Sequence, residues 1–458
     1  MFDNLPEVTM LLPHSIVPGI GWPAIPPPVG ASMLAMQFQL QQSQWWPPEV
    51  LRERQLQQLA PVLRHACETI PFYRQRFEAA RFDPRSGFAA AAFFQLPLLT
   101  RAEIQSAGDA LVTKQLPPDH GKLLSFGSSG STGEPIKVLG SEVTHFFGSA
   151  LTLRDHLWHR RDLSGKLAAI RTKIESATLQ GWGPATDAVY ATGPSATLSI
   201  ASDIDVQLAW LREQNPDYLL SHPSNVLALA RRSLETDTRI ENLREARTFG
   251  ETLPADLREI CRKAWGVPVT DAYSAEEVGN IALQCPEHEH YHVQAENLLV
   301  EILDAGGQPC APGQVGRVVI TTLHNFAMPL LRYANGDYAE AGEPCPCGRG
   351  LPVLERIMGR QRNMLVLPDG TRHWPSFPAE TWSGIAPIRQ IQLVQHSPRQ
   401  IEARLAIDQP LTPEQRDRFI RVLQESLGYP FEIEPRYVQE IERSANFKYE
   451  DFISLIGG

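Results

Sequence analysis

Residues 125–137 read Ser-Phe-Gly-Ser-Ser-Gly-Ser-Thr-Gly-Glu-Pro-Ile-Lys. Between Gly127 and Gly133, three glycines alternate with four hydroxyl side chains, so the backbone can turn at positive φ and present N–H groups and hydroxyls to one point. This order indicates a phosphate cradle, although it matches neither a Walker loop nor Gly-x-Gly-x-x-Gly. The alternative is a flexible linker, which is the common use of such composition. The expected phosphate contacts are Ser128, Ser129, Gly130, Ser131, Thr132 and Gly133.

The segments around this loop predict a layered fold that holds it in place. Residues 136–139 have the apolar pattern of a short strand, and residues 144–159 have the pattern of a helix. Over residues 168–294, short apolar strands alternate with amphipathic helices, which indicates α/β layers with at least partly parallel sheets. Residues 298–303 and 315–322 then read as an antiparallel ribbon. We therefore expect an α/β fold.

After Arg360 the pattern changes to a small α+β unit of roughly a hundred residues, which is large enough to fold by itself. Its strands are expected at 391–395, 400–406 and 433–438, and its helix at 413–427. At the other end, residues 1–44 are rich in proline and methionine and lack a sustained period, so we expect an arm with little secondary structure. The prediction is therefore an arm at 1–44, a large domain at 45–358 and a small, mobile domain at 359–458.

Composition excludes several classes of protein. A net charge of −10, without any block of five like charges, argues against a general nucleic-acid binder. No run of eighteen apolar residues occurs, so no membrane span is expected. The first residues include Asp3 and Glu7 and lack the basic start and apolar core of a signal peptide, which makes the cytoplasm the expected location.

Five stretches, in order along the chain, resemble the adenylate-forming superfamily of acyl-CoA synthetases and peptide-synthetase adenylation domains. Residues 129–135 resemble its phosphate loop. Tyr273-Ser-Ala-Glu-Glu277 is similar to Tyr-Gly-x-Thr-Glu, and Arg332-Tyr-Ala-Asn-Gly-Asp337 is similar to Arg-Tyr-x-x-Gly-Asp. Gly359-Arg-Gln-Arg-Asn363 occupies the place of the hinge between domains, and Ala445-Asn-Phe-Lys448 occupies that of the catalytic lysine.

Within the superfamily, the chain is most similar to the phenylacetate-CoA ligase group. Cys345-Pro-Cys-Gly-Arg349, followed by Ile357-Met-Gly-Arg360, is the signature that carries this likeness. It extends from about Trp45 to the C-terminus and leaves residues 1–44 uncovered. The resemblance implies that ATP and Mg²⁺ activate a small aromatic carboxylic acid as its acyl-adenylate and that CoA accepts the acyl group. A homodimer is the expected oligomeric state.

The resemblance also assigns roles to single residues. Tyr273 would lie against adenine, Glu277 would hold Mg²⁺, and Asp337 would accept hydrogen bonds from the ribose hydroxyls. Arg332 and Lys448 would join Glu277 as catalytic residues, and lysine is scarce, at seven of 42 basic residues, which favours a specific use of Lys448. Further cofactor contacts are expected at Gly250, Glu251 and Arg360. Gly250 and Glu251 also follow a predicted strand, where active sites of α/β folds gather.

The chemistry agrees with these roles. A carboxylate that attacks the α-phosphate of ATP brings anions together, so donors and a divalent cation must neutralise the developing charge. Taken singly, Glu277 could equally be a solvated helix start, and Asp337 could be a turn residue after glycine. The chain also departs from the superfamily pattern, because the phosphate-loop lysine is displaced to Lys137 and Arg362 stands at the hinge.

Two other functions remain open at this point. An adenylating enzyme could pass the acyl group to an amine, a hydroxyl or a carrier protein, since only resemblance points to CoA. A degenerate scaffold that binds nucleotide or zinc without catalysis is the other alternative, and retention of Glu277, Asp337 and Lys448 argues against it.

Cysteine spacing suggests a structural zinc site. Cys345 and Cys347 stand two positions apart, and Cys285 lies near three histidines, so four sulfur or nitrogen ligands are available. Among His288, His290 and His292, the resemblance favours His292 because it aligns with a histidine of the ligase group. Free thiols in a loop are the alternative, since this spacing is tighter than the common zinc pattern.

Overall fold

Strands β1 (Leu123–Gly127) and β2 (Lys137–Ser141) pair in antiparallel register on either side of the glycine-rich loop. In this computed structural model, the described residues are 12–127, 136–172, 174–375, 377, 381–382, 384–441 and 449–456. The loop at 128–135 and the stretch at 442–448 lie outside them. The expected strand after the loop is confirmed, one residue later than predicted.

A sheet of twelve strands forms the centre of the large domain in the described part of the chain. Its spatial order is β11-β12-β13-β14-β10-β9-β8-β7-β6-β3-β5-β4. The strands are β3 (Leu167–Arg171), β4 (Ala177–Leu179), β5 (Ser195–Ser199), β6 (Tyr218–Ser221), β7 (Glu245–Phe249), β8 (Val269–Ala275), β9 (Gly279–Gln284), β10 (Tyr291–Val293), β11 (Leu298–Leu303), β12 (Val315–Thr322), β13 (Tyr333–Ala341) and β14 (Val353–Arg360).

Helices cover this sheet and connect its parallel strands. In the described residues the α-helices are α1 (Pro28–Ser43), α2 (Pro48–Thr69), α3 (Pro71–Ala79), α4 (Ala90–Phe93), α5 (Arg101–Ala107), α6 (Glu142–Trp158), α7 (Pro184–Asp187), α8 (Ile204–Gln214), α9 (Pro223–Glu235), α10 (Leu257–Trp265) and, in the small domain, α11 (Pro413–Leu427). None of the helices described is both long enough and apolar enough to cross a membrane.

The sheet has a parallel half and an antiparallel half. Strands β5, β3, β6, β7 and β8 are parallel, and α8, α9 and α10 connect successive strands among them. The apolar residues of these helices share one buried cluster with β3, β6 and β7. From β8 onward, neighbouring strands are antiparallel. The carboxyl ends of β6, β7 and β8 therefore meet at one edge, where ligands of such sheets bind.

The expectation of an arm with little secondary structure was wrong for α1. Pro28 is the first residue of this helix, a position where proline needs no partner for a missing N–H and its fixed φ already suits the helix. Met33 and Leu40 are buried in a cluster with Leu151 and Leu153 of α6. The proline run therefore starts a helix that packs on the large domain.

The small unit after Arg360 has its own apolar core. Phe419 and Leu423 of α11 pack there against Leu393 and Leu405 of a four-stranded sheet in the order β19-β18-β17-β20. The strands of this unit are β15 (Leu365–Val366), β16 (Arg372–His373), β17 (Gln390–Ser397), β18 (Gln400–Ala406), β19 (Glu432–Val438) and β20 (Phe452–Ser454). Its mobility and its exact boundary stay predictions.

Candidate active site

A cleft of about 2220 Å³ opens where the carboxyl ends of β6, β7 and β8 face α6, β13 and the small domain. It brings together residues that the motifs had singled out across more than a hundred positions of sequence. The predicted residues that line it are Gly250, Glu251, Tyr273, Glu277, Asp337 and Arg360. The predicted residues Ser128, Ser129, Gly130, Ser131, Thr132, Gly133 and Lys448 lie outside the described residues. Phe126, in β1, lines the same cleft.

Asp337 is held in place by a network of side chains. The Tyr273 hydroxyl and the Asn335 amide donate to Asp337 Oδ2 at 2.8 and 2.7 Å. Arg360 Nε lies 3.4 Å from Asp337 Oδ1, across the register of β13 and β14. Burial and the nearby Asp337 charge raise the pKa of Tyr273 well above its usual range, so this hydroxyl stays a donor. Gly336, at φ +91°, supplies the left-handed turn in front of the carboxylate.

Glu277 is a nearly buried carboxylate at the end of β8, with its side chain 8% exposed. Arg101 Nη1 lies 3.6 Å from Glu277 Oε1, and the Tyr333 hydroxyl donates to the same oxygen at 3.4 Å. A carboxylate offers about four acceptor sites, so Glu277 keeps capacity for a cation. Mg²⁺ is usually bound through one or two carboxylates, substrate phosphates and water, and this donor set fits it.

Glu251 joins the large and the small domain. Its Oε2 accepts a hydrogen bond from the backbone N–H of Ser224 at 3.0 Å, in the first turn of α9. Its Oε1 accepts one from the backbone N–H of Tyr449 at 2.9 Å. Tyr449 directly follows Lys448 in the chain and lines the cleft. Gly250, with φ +81°, lets the chain turn sharply between β7 and Glu251.

The structure does not bring Arg332 into the cleft, and this corrects its expected catalytic role. Arg332 is 5% exposed, pairs with Glu301 at 2.9 Å, and donates to the carbonyl groups of Phe94 and Leu96. Its φ of +52° is not that of a β-strand, so Arg332 does not take part in the alternation of side chains between the two sheet faces that begins at Tyr333. Arg332 therefore ties β11 to the segment that precedes α5 and is not among the residues that line the cleft.

The predicted zinc ligands do come together. The ligand atoms of Cys285, His292, Cys345 and Cys347 all lie within 4.8 Å of one another. Cys285 follows β9 and His292 lies in the adjacent strand β10, so the hairpin sets their distance. Cys285 Sγ and Cys345 Sγ are 3.8 Å apart, and Cys347 Sγ and His292 Nε2 are 3.5 Å apart. Burial, then nearby positive charge, lowers the pKa of His292 to about 3, which leaves the imidazole neutral.

Some residues of the site were missed by the motifs. Asn335 stood inside the quoted Arg332–Asp337 stretch, and its amide side chain could have been recognised as a donor to the aspartate. Arg101 and Ser224 come from distant segments. Ser224 and Tyr449 bind Glu251 through backbone N–H groups, which no side-chain pattern reveals.

Comparisons with known proteins agree with this geometry. The chain is 25% identical to the phenylacetate-coenzyme A ligase of Thermus thermophilus over 340 residues, which are 70% of this chain and 73% of that one. It is 25% identical to the Escherichia coli phenylacetate-coenzyme A ligase over 343 residues, or 71% and 74% of the two chains. No protein-family model matches the chain.

A solved structure shows the same fold. The crystal structure of 2-hydroxyisobutyryl-CoA ligase in the postadenylation state superimposes with a TM-score of 0.69 at 18% identity, and covers 90% of this chain and 91% of the ligase. The expected α/β fold class is thus confirmed, and the relatives support an acid–thiol ligase. The chain is thus a homologue of phenylacetate-CoA ligases, at 25% identity to the two named here.

Proposed function

We propose that the protein activates a small aromatic carboxylic acid with ATP to form an acyl-adenylate, and then transfers the acyl group to the thiol of CoA. The observation that carries this proposal is the convergence of Glu251, Tyr273, Glu277, Asp337 and Arg360 on one cleft. The ligase relatives support the class of reaction and the use of CoA. An aromatic acid is the finer part of the proposal, and it rests on the phenylacetate specificity in the relatives' names.

The cleft residues divide the binding of the nucleotide between them. Asp337, fixed by Tyr273 and Asn335, keeps acceptor sites on its carboxylate for the two ribose hydroxyls. The ring of Tyr273 would lie against adenine. Glu277 would hold Mg²⁺, which when bound neutralises phosphate charge as the carboxylate attacks. Residues 128–133 would supply the N–H and hydroxyl donors to the phosphates.

Lys448 is proposed as the cation that reaches between the acid and the α-phosphate. A lysine ammonium is a compact charge on a flexible stem, which suits a group that must approach two anions at once. The contact between the Tyr449 N–H and Glu251 supports this role, because it anchors the residue after Lys448 at the cleft. We also propose that the small domain moves between the two half-reactions.

A structural zinc ion held by Cys285, His292, Cys345 and Cys347 is a second part of the proposal. Tetrahedral zinc with bonds of about 2.3 Å to sulfur and 2.0–2.1 Å to nitrogen sets sulfur–sulfur pairs about 3.8 Å apart and sulfur–nitrogen pairs about 3.5 Å apart. The observed 3.8 and 3.5 Å agree with both values. His290 Nε2 lies only 2.9 Å from Cys345 Sγ, which is too close for a second ligand of the same ion.

Elemental analysis tests the zinc site. We expect about one zinc per chain, and we expect Cys347→Ala to lose zinc and to melt several degrees lower. Cys310→Ala is the matched control, because Cys310 lies outside the cluster. Protein free of zinc whose melting temperature does not respond to a chelator would end this part of the proposal.

ATP–pyrophosphate exchange tests the main proposal. Aryl and alkyl acids are screened with purified protein, and thioester formation is measured separately with CoA. We expect exchange with at least one aromatic acid and a thioester product when CoA is added. Exchange without thioester would favour an amine, a hydroxyl or a carrier protein as acceptor, and no exchange with any acid would favour the degenerate scaffold.

A further inference from the structure

We propose that the acid-binding end of the cleft is closed by the guanidinium group of Arg247, and that the substrate is an acid whose far end carries an oxygen acceptor, a hydroxyl or a carboxylate. This inference rests on the proposed function and narrows it, because an unsubstituted phenyl ring would leave without an acceptor the Arg247 N–H groups that Asp155 does not bind. The residues concerned are Arg247 of strand β7 and Gly148 and Asp155 of helix α6, none of which has a proposed contact with the nucleotide.

Arg247 lies below the rim of the cleft. It precedes Phe249 by two residues in β7, so both side chains are on the same face, with Arg247 about 7 Å further from the carboxyl end. Both line the cleft. One face of α6 also lines the cleft. Its cleft-lining residues are three or four positions apart and therefore share a face of the helix. The cleft-lining residues of that face are His145, Gly148, Ser149, Thr152 and Asp155.

The guanidinium of Arg247 is only partly satisfied. Its Nη2 donates to Asp155 Oδ2 at 2.6 Å, and this is its one hydrogen bond to any residue that the structure describes. An arginine has five N–H donors, so four remain although the side chain is only 12% exposed. The other two nitrogens, Nε and Nη1, are not fully buried, so they lie at the cleft surface. A ligand acceptor would satisfy them.

The surrounding charges hold Arg247 in position without using those donors. Arg161 occupies most of the remaining acceptor sites on the two nearby carboxylates. It donates to Asp155 at 2.8 Å and to Glu245 at 2.7 and 2.8 Å. Burial lowers the pKa of His156 and His159, so neither adds a positive charge near neutral pH. Two carboxylates thus balance two guanidinium groups. An Arg with a fixed partner on one side is well placed to read an oxygen on the other.

A second cation extends this positive end of the cleft. Arg171 lines the cleft with its Cζ 5.1 Å from the centre of the Phe249 ring. Among the described residues it has no carboxylate within salt-bridge distance, although the charge of Glu276 acts on it from further away. Arg171 and Arg247 therefore bracket Phe249. An aromatic ring packed on Phe249, with an oxygen directed to Arg247, matches this arrangement.

Gly148 gives an independent sign of a ligand. Glycine in the middle of a helix lowers helix stability relative to alanine, so its presence needs a reason. A Cβ added at Gly148 would meet no described protein atom within 4 Å. The space beside it therefore belongs to the cleft rather than to a packed neighbour. A substrate that lies along α6 on its way to Arg247 would occupy that space.

Matched acids test the inference by ATP–pyrophosphate exchange. Phenylacetate is compared with 4-hydroxyphenylacetate and 4-carboxyphenylacetate, since a site built to hydrogen-bond a substrate group rejects the analogue that lacks it. We expect wild-type kcat/KM to be at least about tenfold higher for one of the oxygenated acids. In Arg247→Met that preference should fall below about threefold. Arg317→Met, an exposed arginine of β12 outside the cleft, should keep it.

Gly148→Ala tests the same space without touching the ion pairs. The melting temperature should stay the same or rise, because alanine favours the helix and the added methyl group meets open space. The KM for the acid should rise at least about fivefold, while the KM for ATP stays within about twofold. The inference is overturned if the KM for the acid is unchanged in Gly148→Ala. It is also overturned if the wild-type kcat/KM with phenylacetate equals that with the oxygenated acids. Absence of exchange with every acid contradicts the proposed function instead.

Discussion

Arg332 and Asp337 are the two ends of one six-residue stretch, yet they lie in different environments. Arg332 is buried beside Glu301, with backbone carbonyls on its remaining donors. Asp337 lines the cleft, with Tyr273 and Asn335 fixing one carboxylate oxygen. The difference teaches that a single motif can combine a group that stabilises the fold with a group that binds a ligand. Substitutions in the two environments should therefore separate stability from activity.

Glu277→Gln should give the largest loss of activity, because an amide cannot replace the charge of a carboxylate that holds a metal ion. We expect pyrophosphate exchange to fall by about a thousandfold or more, with little change in melting temperature. Glu213→Gln is the matched control, since Glu213 is an exposed carboxylate of α8 outside the cleft, and it should stay within a few-fold of wild type. Wild-type exchange in Glu277→Gln would remove Glu277 from the site.

Lys448→Ala should separate the two half-reactions. Adenylate formation should fall by about a hundredfold, because a positioned cation is lost beside two anions. Consumption of a chemically synthesised acyl-adenylate with CoA should remain near the wild-type rate. Lys263→Ala, an exposed lysine of α10, serves as the control. Equal loss of both half-reactions would give Lys448 a folding or acceptor role, and unchanged exchange would leave it without a catalytic one.

Arg332→Met should affect stability first. Removing the guanidinium leaves the Glu301 carboxylate almost buried without its cation, at a cost of about 3–5 kcal/mol. The melting temperature should drop by several degrees, while the folded enzyme keeps its KM for ATP. The double variant Arg332→Met with Glu301→Leu should recover part of the loss, because the buried carboxylate that Arg332 balanced is then absent as well. Lost exchange at an unchanged melting temperature would restore a catalytic role for Arg332.

Asp337→Asn should have the smallest effect of the four. The amide can keep some hydrogen bonds, but it loses the charge that strengthens those from the ribose hydroxyls. We expect the KM for ATP to rise by about tenfold, with the KM for the acid and the melting temperature nearly unchanged. A KM for ATP equal to that of wild type would show that the nucleotide does not contact this carboxylate.

Local sequence patterns predicted the parallel half of the sheet, and they predicted the strands and the helix expected between residues 391 and 438. Each strand or helix there is defined by its own periodicity, and α10, with buried Leu257, Cys261 and Ala264, is an example. The helix α1 was missed because residues 1–44 are rich in proline and methionine and lack a sustained period, although proline is favourable in the first turn of a helix. Composition could not distinguish a proline that begins a helix from one that ends it.

Site residues were predicted where a motif carried them, and missed where only tertiary structure does. Asp155 and Arg247 are 92 positions apart, and neither lies in a recognised motif, so their contact follows from the packing of α6 on β7. Arg332 was expected in the active site because of its motif. Its positive φ could not be foreseen, because the residue at this position is not a glycine. His292 could not be chosen over His290 from spacing alone, and the distances between ligand atoms distinguish them.

The two hydrogen bonds of Glu251 have a kinetic consequence. One oxygen is bound to Ser224 in the large domain and the other to Tyr449 in the small one. A hydrogen bond to a charged group is worth about 1.5–3 kcal/mol, which corresponds to roughly 10- to 150-fold in a rate if it breaks before the barrier. If the small domain rotates as proposed, the hydrogen bond to Tyr449 must break, and Glu251 would then be a latch that sets how long the enzyme waits between the two proposed half-reactions.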